Sequence, residues 1–175
     1  MIAMKRVVLA LLATALLPLS CGYHLAGTGN FLPEYIKRMG VPTFTNLTPR
    51  YELDQKLTTA VINELTSRTR YEIVPDSTGV DAVLAVSINS YQDYPVSYGR
   101  ESRSRQYEIR IGASITLKDM TANTVIYSNP GFISPPYQYE IPEGGADVFQ
   151  KQTEALNLAT QDFARRLVST ILEGF

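Results

Sequence analysis

Apolar residues recur at every fourth position at Leu53, Leu57, Val61 and Leu65, with Ala60 and Ile62 beside them. This spacing puts them on one stripe of an amphipathic helix. Thr48 followed by Pro49 supplies a start: a hydroxyl cap, then proline at the first helical position. The pattern fades over Ser67 to Arg70. A second stripe, Leu156, Ala159, Phe163, Leu167 and Ile171, predicts a closing helix entered near Asp147 and left near Gly174.

Elsewhere the period is two. Tyr107 to Asp119 alternates most cleanly, with Ile109, Ile111, Ala113, Ile115 and Leu117 on one face and Glu108, Arg110, Ser114, Thr116 and Lys118 on the other. Such alternation marks an antiparallel sheet covered on one side. Ala82 to Tyr91 predicts a neighbouring strand, with Leu84, Val86 and Ile88 pointing one way and Ser87, Asn89 and Tyr91 the other. Val125 to Ser128 returns as a hairpin partner after a turn at Thr121 to Thr124. Tyr71 to Val74 reads as a short strand before a turn at Asp76 to Gly79. Val41 to Thr45 reads as the first strand, confined by Pro42 to an edge or a strand start. Residues 129–145 hold Pro130, Pro135, Pro136 and Pro142 and read as a loop that contains Tyr137 and Tyr139.

The order strand, helix, several strands, helix predicts an α+β fold. It is a two-layer sandwich: a mostly antiparallel four- to five-stranded sheet with two helices packed on one face. The polar sheet face is left to water or to a polar partner.

The first 22 residues obey a different rule. Lys5 and Arg6 precede an apolar run from Val7 to Leu17 broken only by Thr14; Pro18, Leu19, Ser20, Cys21 and Gly22 follow. This is the layout of a secretory signal peptide. Cleavage between Ser20 and Cys21 would leave the chain's single cysteine at the new terminus, as in a bacterial lipoprotein, with Cys21 as the lipid attachment. Pro18 stands where the lipoprotein box prefers Leu. The apolar run is shorter than the ~20 residues that span a bilayer. Gly22 in place of Asp favours outer-membrane delivery. The expected organisation is a signal at 1–20, a lipidated tether at 21–40 and one α+β domain at 41–175. Gly22 to Asn30 reaches at most about 30 Å, so the tether keeps the domain near the bilayer surface.

Composition narrows the function. Removing Lys5 and Arg6 with the signal takes the 16 basic residues to 14 against 17 acidic ones, a net charge near −3. That balance is not the footprint of a nucleic-acid binder. A single cysteine excludes an internal disulfide. There is one histidine, His24, three residues from Cys21 and a poor general base on a tether. No paired-histidine metal spacing, phosphate-binding glycine loop or nucleophile elbow occurs. No enzyme, cofactor or metal is expected. Eleven tyrosines suit half-wet surfaces and interfaces.

One segment offers binding chemistry. Arg100, Arg103 and Arg105 lie between Tyr98 and Tyr107, offset only by Glu101. Arginine grips phosphate and carboxylate bidentately, so this stretch is a candidate contact for an anionic amphiphile. A solvated hairpin connection accounts for the same residues.

The chain resembles the lipopolysaccharide-assembly lipoproteins of the LptE family. The resemblance runs from Cys21-Gly22-Tyr23-His24-Leu25 through Leu32-Pro33 and Val41-Pro42-Thr43-Phe44-Thr45-Asn46 to the helix from Leu53. It continues through Asp81-Ala82-Val83-Leu84, Ile88 and Tyr91 to the Tyr107–Leu117 strand and the last helix. It implies a non-catalytic role, in a one-to-one complex that plugs and helps assemble the outer-membrane β-barrel LptD and assists lipopolysaccharide delivery to the outer leaflet. The implied partners are that barrel and lipopolysaccharide, with the membrane held through the lipid. Arg100, Arg103 and Arg105 are expected to contact lipopolysaccharide or the barrel wall. The alternative is a free-standing envelope lipoprotein that binds an amphiphilic ligand alone.

Overall fold

The computed structural model describes residues 32–97, 104–142 and 147–173. Its elements are β1 (Arg38–Gly40), β2 (Thr45–Asn46), α1 (Leu53–Arg68), β3 (Glu72–Val74), β4 (Ala82–Ser97), β5 (Ser104–Asp119), β6 (Thr124–Ile133), β7 (Tyr137–Pro142) and α2 (Val148–Glu173). The α+β two-layer architecture holds, but the sheet has seven strands rather than four or five.

The strands run in the order β3-β1-β4-β5-β6, with β2 also paired to β4 and β7 also paired to β5. Pairing is antiparallel around β5 and parallel among β1, β2, β3 and β4. Parallel pairing needs a crossover, and α1 supplies it between β2 and β3. The predicted first strand at 41–45 is split. The chain pairs at 38–40 and again at 45–46, and Pro42, with no N–H to give, lies between.

The folded body also begins before residue 41. Leu32, Ile36 and Met39 are buried in the core. The Asp81 carboxylate accepts the Lys37 and Arg38 amides at 2.7 and 2.8 Å, and Tyr35 donates its hydroxyl to Asp119. Residues 32–40 therefore belong with the domain rather than with a tether.

Leu53, Leu57, Val61 and Leu65 are fully buried, as are Phe163, Leu167 and Ile171 of α2. Helix α1 starts later than Thr48-Pro49 because its lead-in folds on itself. Asn46 Oδ1 accepts from the Thr48 amide (2.9 Å) and hydroxyl (2.8 Å), and Asn46 Nδ2 donates to the Arg50 carbonyl at 2.7 Å. Such an Asx arrangement competes with helix. Glu52 then takes a left-handed φ of 60° before the helix begins. The two helices are parallel and in step: Lys56 Nζ donates to Asn157 Oδ1 (2.9 Å) and Arg68 to Ser169 Oγ (2.7 Å).

Strands β4 and β5 are 16 residues each, about 50 Å long. A β-bulge at Asn89 breaks the parity of β4: Ile88 faces Ala113, but Ser90 faces Gly112 and Tyr91 faces Ile111. Tyr91 therefore lies on the helix-covered face, not with Ser87 as the alternation predicts. The predicted loop at 129–145 is mostly sheet. Strand β6 runs to Ile133, and β7 pairs Tyr137 with Ile109 and Tyr139 with Tyr107. Between them Ser134 accepts the Ile111 amide on its hydroxyl (3.0 Å) and donates its own amide to the Ile111 carbonyl (2.8 Å). The prolines sit along an outer edge, where a missing N–H costs nothing.

Candidate functional site

These elements give the molecule two unlike ends. Tyr35 bonds Asp119 and the Lys37 and Arg38 amides bond Asp81, at the end of β5 and the start of β4. The β4–β5 hairpin, β7 and the beginnings of both helices lie at the other, distal end. Of the predicted site residues, Ser20, Cys21, Arg100 and Arg103 lie outside the described residues, as does His24. Arg105 is described: exposed, on β5 opposite Ile141, and without an ion pair among the described residues. The structure therefore neither assembles nor separates the three arginines.

What it does assemble at the distal end is a tyrosine layer. Tyr139 of β7 stacks on Tyr107 of β5, with ring centroids 5.5 Å apart. Its hydroxyl donates to Asp93 of β4, with the two carboxylate oxygens at 2.9 and 3.0 Å. Arg50 lies over the Tyr91 ring, 5.5 Å from its centroid. Burial, then the Asp93 charge, push the Tyr91 hydroxyl up to about 12, and Arg50 offsets part of this. Burial and the bond to Asp93 raise Tyr139 further. Both rings stay neutral and act as hydrogen-bonding apolar surface. A groove of about 270 Å³ runs between β7 and α2, with Tyr137, Tyr139, Lys151 and Glu154 among its lining.

The opposite, uncovered sheet face has its own centre. Glu108 is only 5% exposed although it is a carboxylate on the open side. Tyr94 donates to its Oε1 at 2.8 Å, Arg110 Nε at 2.5 Å, and Gln138 donates to its Oε2 at 3.3 Å. The Tyr94 bond first, then those from Arg110 and Gln138, hold the carboxyl below the usual range against the desolvation that raises it. A carboxylate with its lone pairs so occupied is a fixed anchor for three strands, not a base awaiting a proton. Thr116 and Lys118 continue this polar face, as the sequence predicts.

Sequence reasoning missed Arg50, Tyr91 and Asp93 as a group, because only the Asn89 bulge brings Tyr91 and Asp93 to the helix side. Tyr137, Tyr139 and Ile141 alternate with polar residues, a strand signal masked by the surrounding prolines, which make 129–145 read as a loop. Among the described residues no three His, Cys, Asp or Glu side chains gather as a metal site. No described helix is long and apolar enough to cross a membrane. The chemistry on offer is recognition by arginine, tyrosine and a satisfied polar sheet.

The family model described as "Lipopolysaccharide-assembly", LptE, matches residues 36–171, and the chain belongs to that family. It is accordingly a non-enzymatic protein of lipopolysaccharide assembly in the cell envelope. No curated protein matches the chain. Among solved structures, the hypothetical protein CT253 from Chlamydia trachomatis is similar, with TM-score 0.54 and 12% identity over 80% of this chain and 97% of that one. Protein XCC0632 from Xanthomonas campestris is similar with TM-score 0.52 and 13% identity, over 81% and 88%. At these identities the likeness extends to the fold alone.

Proposed function

We propose that this protein is the lipid-anchored plug of the LptD β-barrel, on the periplasmic side of the outer membrane, where it helps the barrel assemble and helps deliver lipopolysaccharide to the outer leaflet. The family match over residues 36–171 carries this reading. The uncovered sheet face supports it, because Glu108, Arg110, Thr116 and Lys118 present a polar surface suited to a water-lined barrel interior. In this reading residues 1–20 are a signal peptide, cleavage falls between Ser20 and Cys21, and Cys21 carries the lipid. Tyr35, Lys37 and Arg38 bond at the Asp81–Asp119 end, so the anchor holds that end near the bilayer. Arg105, at the far end of β5, is then carried up to about 50 Å away. The three arginines contact lipopolysaccharide phosphates or acids of the barrel wall.

Affinity purification from mild detergent tests this. The expected result is a one-to-one complex with a large barrel whose gel mobility changes on heating. A clean monomer that still retains an amphiphile would replace the plug with a free-standing binding module.

A further inference from the structure

The outward seam between α1 and α2 is a polar groove of about 510 Å³, continued toward the helix C-termini by a further space of about 360 Å³. Gln55, Thr59 and Asn63 follow one another at four-residue intervals on α1, and Asn157 and Gln161 do so on α2, so each helix lines the groove with one row. Every one of these five side chains is uncharged and able to hydrogen-bond. Charge appears at the ends, with Glu52 and Lys56 at one and Glu64 and Arg165 at the other. The floor is small: Ala60 and Ala164, with Thr160 buried.

These rows are chemically idle within the molecule. Thr58, Thr66, Thr69, Thr153, Thr160 and Thr170 all return their hydroxyls to a carbonyl three or four residues back. Thr59 does not, and Gln55, Asn63 and Gln161 likewise make no side-chain hydrogen bond among the described residues. Asn157 is the exception. Lys56 holds its carbonyl oxygen at 2.9 Å, which fixes the amide and leaves its NH2 uncommitted.

We propose that this groove binds an uncharged, hydroxyl-rich chain, an oligosaccharide, along the helix seam. A primary amide offers a donor pair and an acceptor in one plane, and two amides four residues apart can hold neighbouring hydroxyls that both give and take hydrogen bonds. The groove's two cations are engaged within the molecule, Lys56 with Asn157 and Arg165 with Asp162, and it has no apolar pocket to seat the side chains of a peptide. The proposal rests on the lipopolysaccharide reading for its biological setting, since that molecule carries a glycan. It differs in chemistry from the proposed arginine contact.

The test is solution NMR of the mature chain, following the side-chain NH2 signals of Gln55, Asn63, Asn157 and Gln161. The probes are the deacylated, dephosphorylated oligosaccharide of a lipopolysaccharide and, as an unrelated neutral glycan, maltoheptaose. Saturable shifts of these signals with either probe support the groove; shifts with the first alone assign it to the lipopolysaccharide glycan. Raising salt from about 0.05 to about 0.5 M should leave the affinity unchanged, because no ion pair is made. Asn63→Leu with Gln161→Leu, both on the exposed side of their helices, should weaken binding about tenfold, as expected for losing two hydrogen-bonding groups. Unmoved amides, an unchanged affinity in the double variant, or shifts produced only by a barrel-derived peptide would overturn the proposal. If intact lipopolysaccharide binds while these amides stay still, the groove fails and the assembly reading stands. If the neutral glycan moves them but no barrel or lipopolysaccharide associates, the reverse holds.

Discussion

The hydroxyl of Tyr139 on β7 reaches the carboxylate of Asp93 on β4 across the intervening strand β5, at 2.9 Å. The bond ties the three strands together beyond the reach of α1. Tyr139→Phe keeps the stack on Tyr107 and removes only this tie. It should cost about 1 kcal/mol in urea unfolding and speed amide hydrogen exchange in β7. Unchanged exchange would show that the pairing of β7 does not depend on it.

Tyr139 and the neighbouring Tyr91 set an alkaline limit. Tyr91 is pushed up to about 12 and Tyr139 also lies above its ordinary value, so the folded state favours both neutral rings. Their contribution is fully present below about pH 10, the unfolded value, and is lost as pH rises through the folded ones. Ultraviolet titration should show Tyr91 and Tyr139 among the tyrosines that ionise late, with one late-ionising tyrosine fewer in Tyr139→Phe.

Acid acts through other groups. Glu108, Asp119 and Asp81 are all held below their ordinary values, chiefly by Tyr94, by Tyr35 and by the Arg38 amide respectively. Stability from a depressed carboxyl is present above its unfolded value, near pH 4, and is lost as pH falls through the folded one. The urea midpoint should therefore drop between pH 6 and pH 3. Glu108→Gln should lower it at pH 6 and flatten the slope; an equal slope in variant and parent would remove Glu108 from this account.

Two core positions test the packing. Phe163 is fully buried and meets Phe132 edge-on, with centroids 5.2 Å apart, so Phe163→Ala should cost about 3–5 kcal/mol. Gly40 is closed to any side chain, because a Cβ there would lie 2.1 Å from the Asp76 carbonyl oxygen. Gly40→Ala must push β1 off the Asp76 turn, at a cost of about 1–3 kcal/mol in thermal unfolding.

Cys21→Ala should abolish metabolic lipid labelling, and persistent label would place the anchor elsewhere. Replacing Arg100, Arg103 and Arg105 together by Ala should weaken lipopolysaccharide binding or barrel association. If neither changes, the arginines only solubilise the hairpin.

Helix faces were fully legible in the sequence, because Leu53 to Leu65 and Leu156 to Ile171 each keep one period and all bury. Strand faces were legible up to Ile88, and failed at Asn89 because a bulge has no marker in apolar periodicity. The prolines of 129–145 read as loop because proline excludes a central strand, yet on an outer edge that exclusion lapses. The parallel strands were implicit in a strand–helix–strand order whose first strand was too short to weigh. The tyrosine layer at the distal end was hidden for the same reason as the bulge: its partners come from Arg50, Asp93 and Tyr139, which only the folded register brings together.

The in-step, parallel course of α1 and α2 has an electrical consequence. Each helix carries about half a positive charge at its start and half a negative charge at its end. Antiparallel neighbours would cancel, whereas these add. The 16- and 26-residue helices together direct a standing field along the long axis of the molecule, positive toward the hairpin and negative toward the Asp81–Asp119 end. A chain with a small net negative charge, −1 in full and near −3 without residues 1–20, can therefore still present the starts of its helices to an anionic surface or ligand.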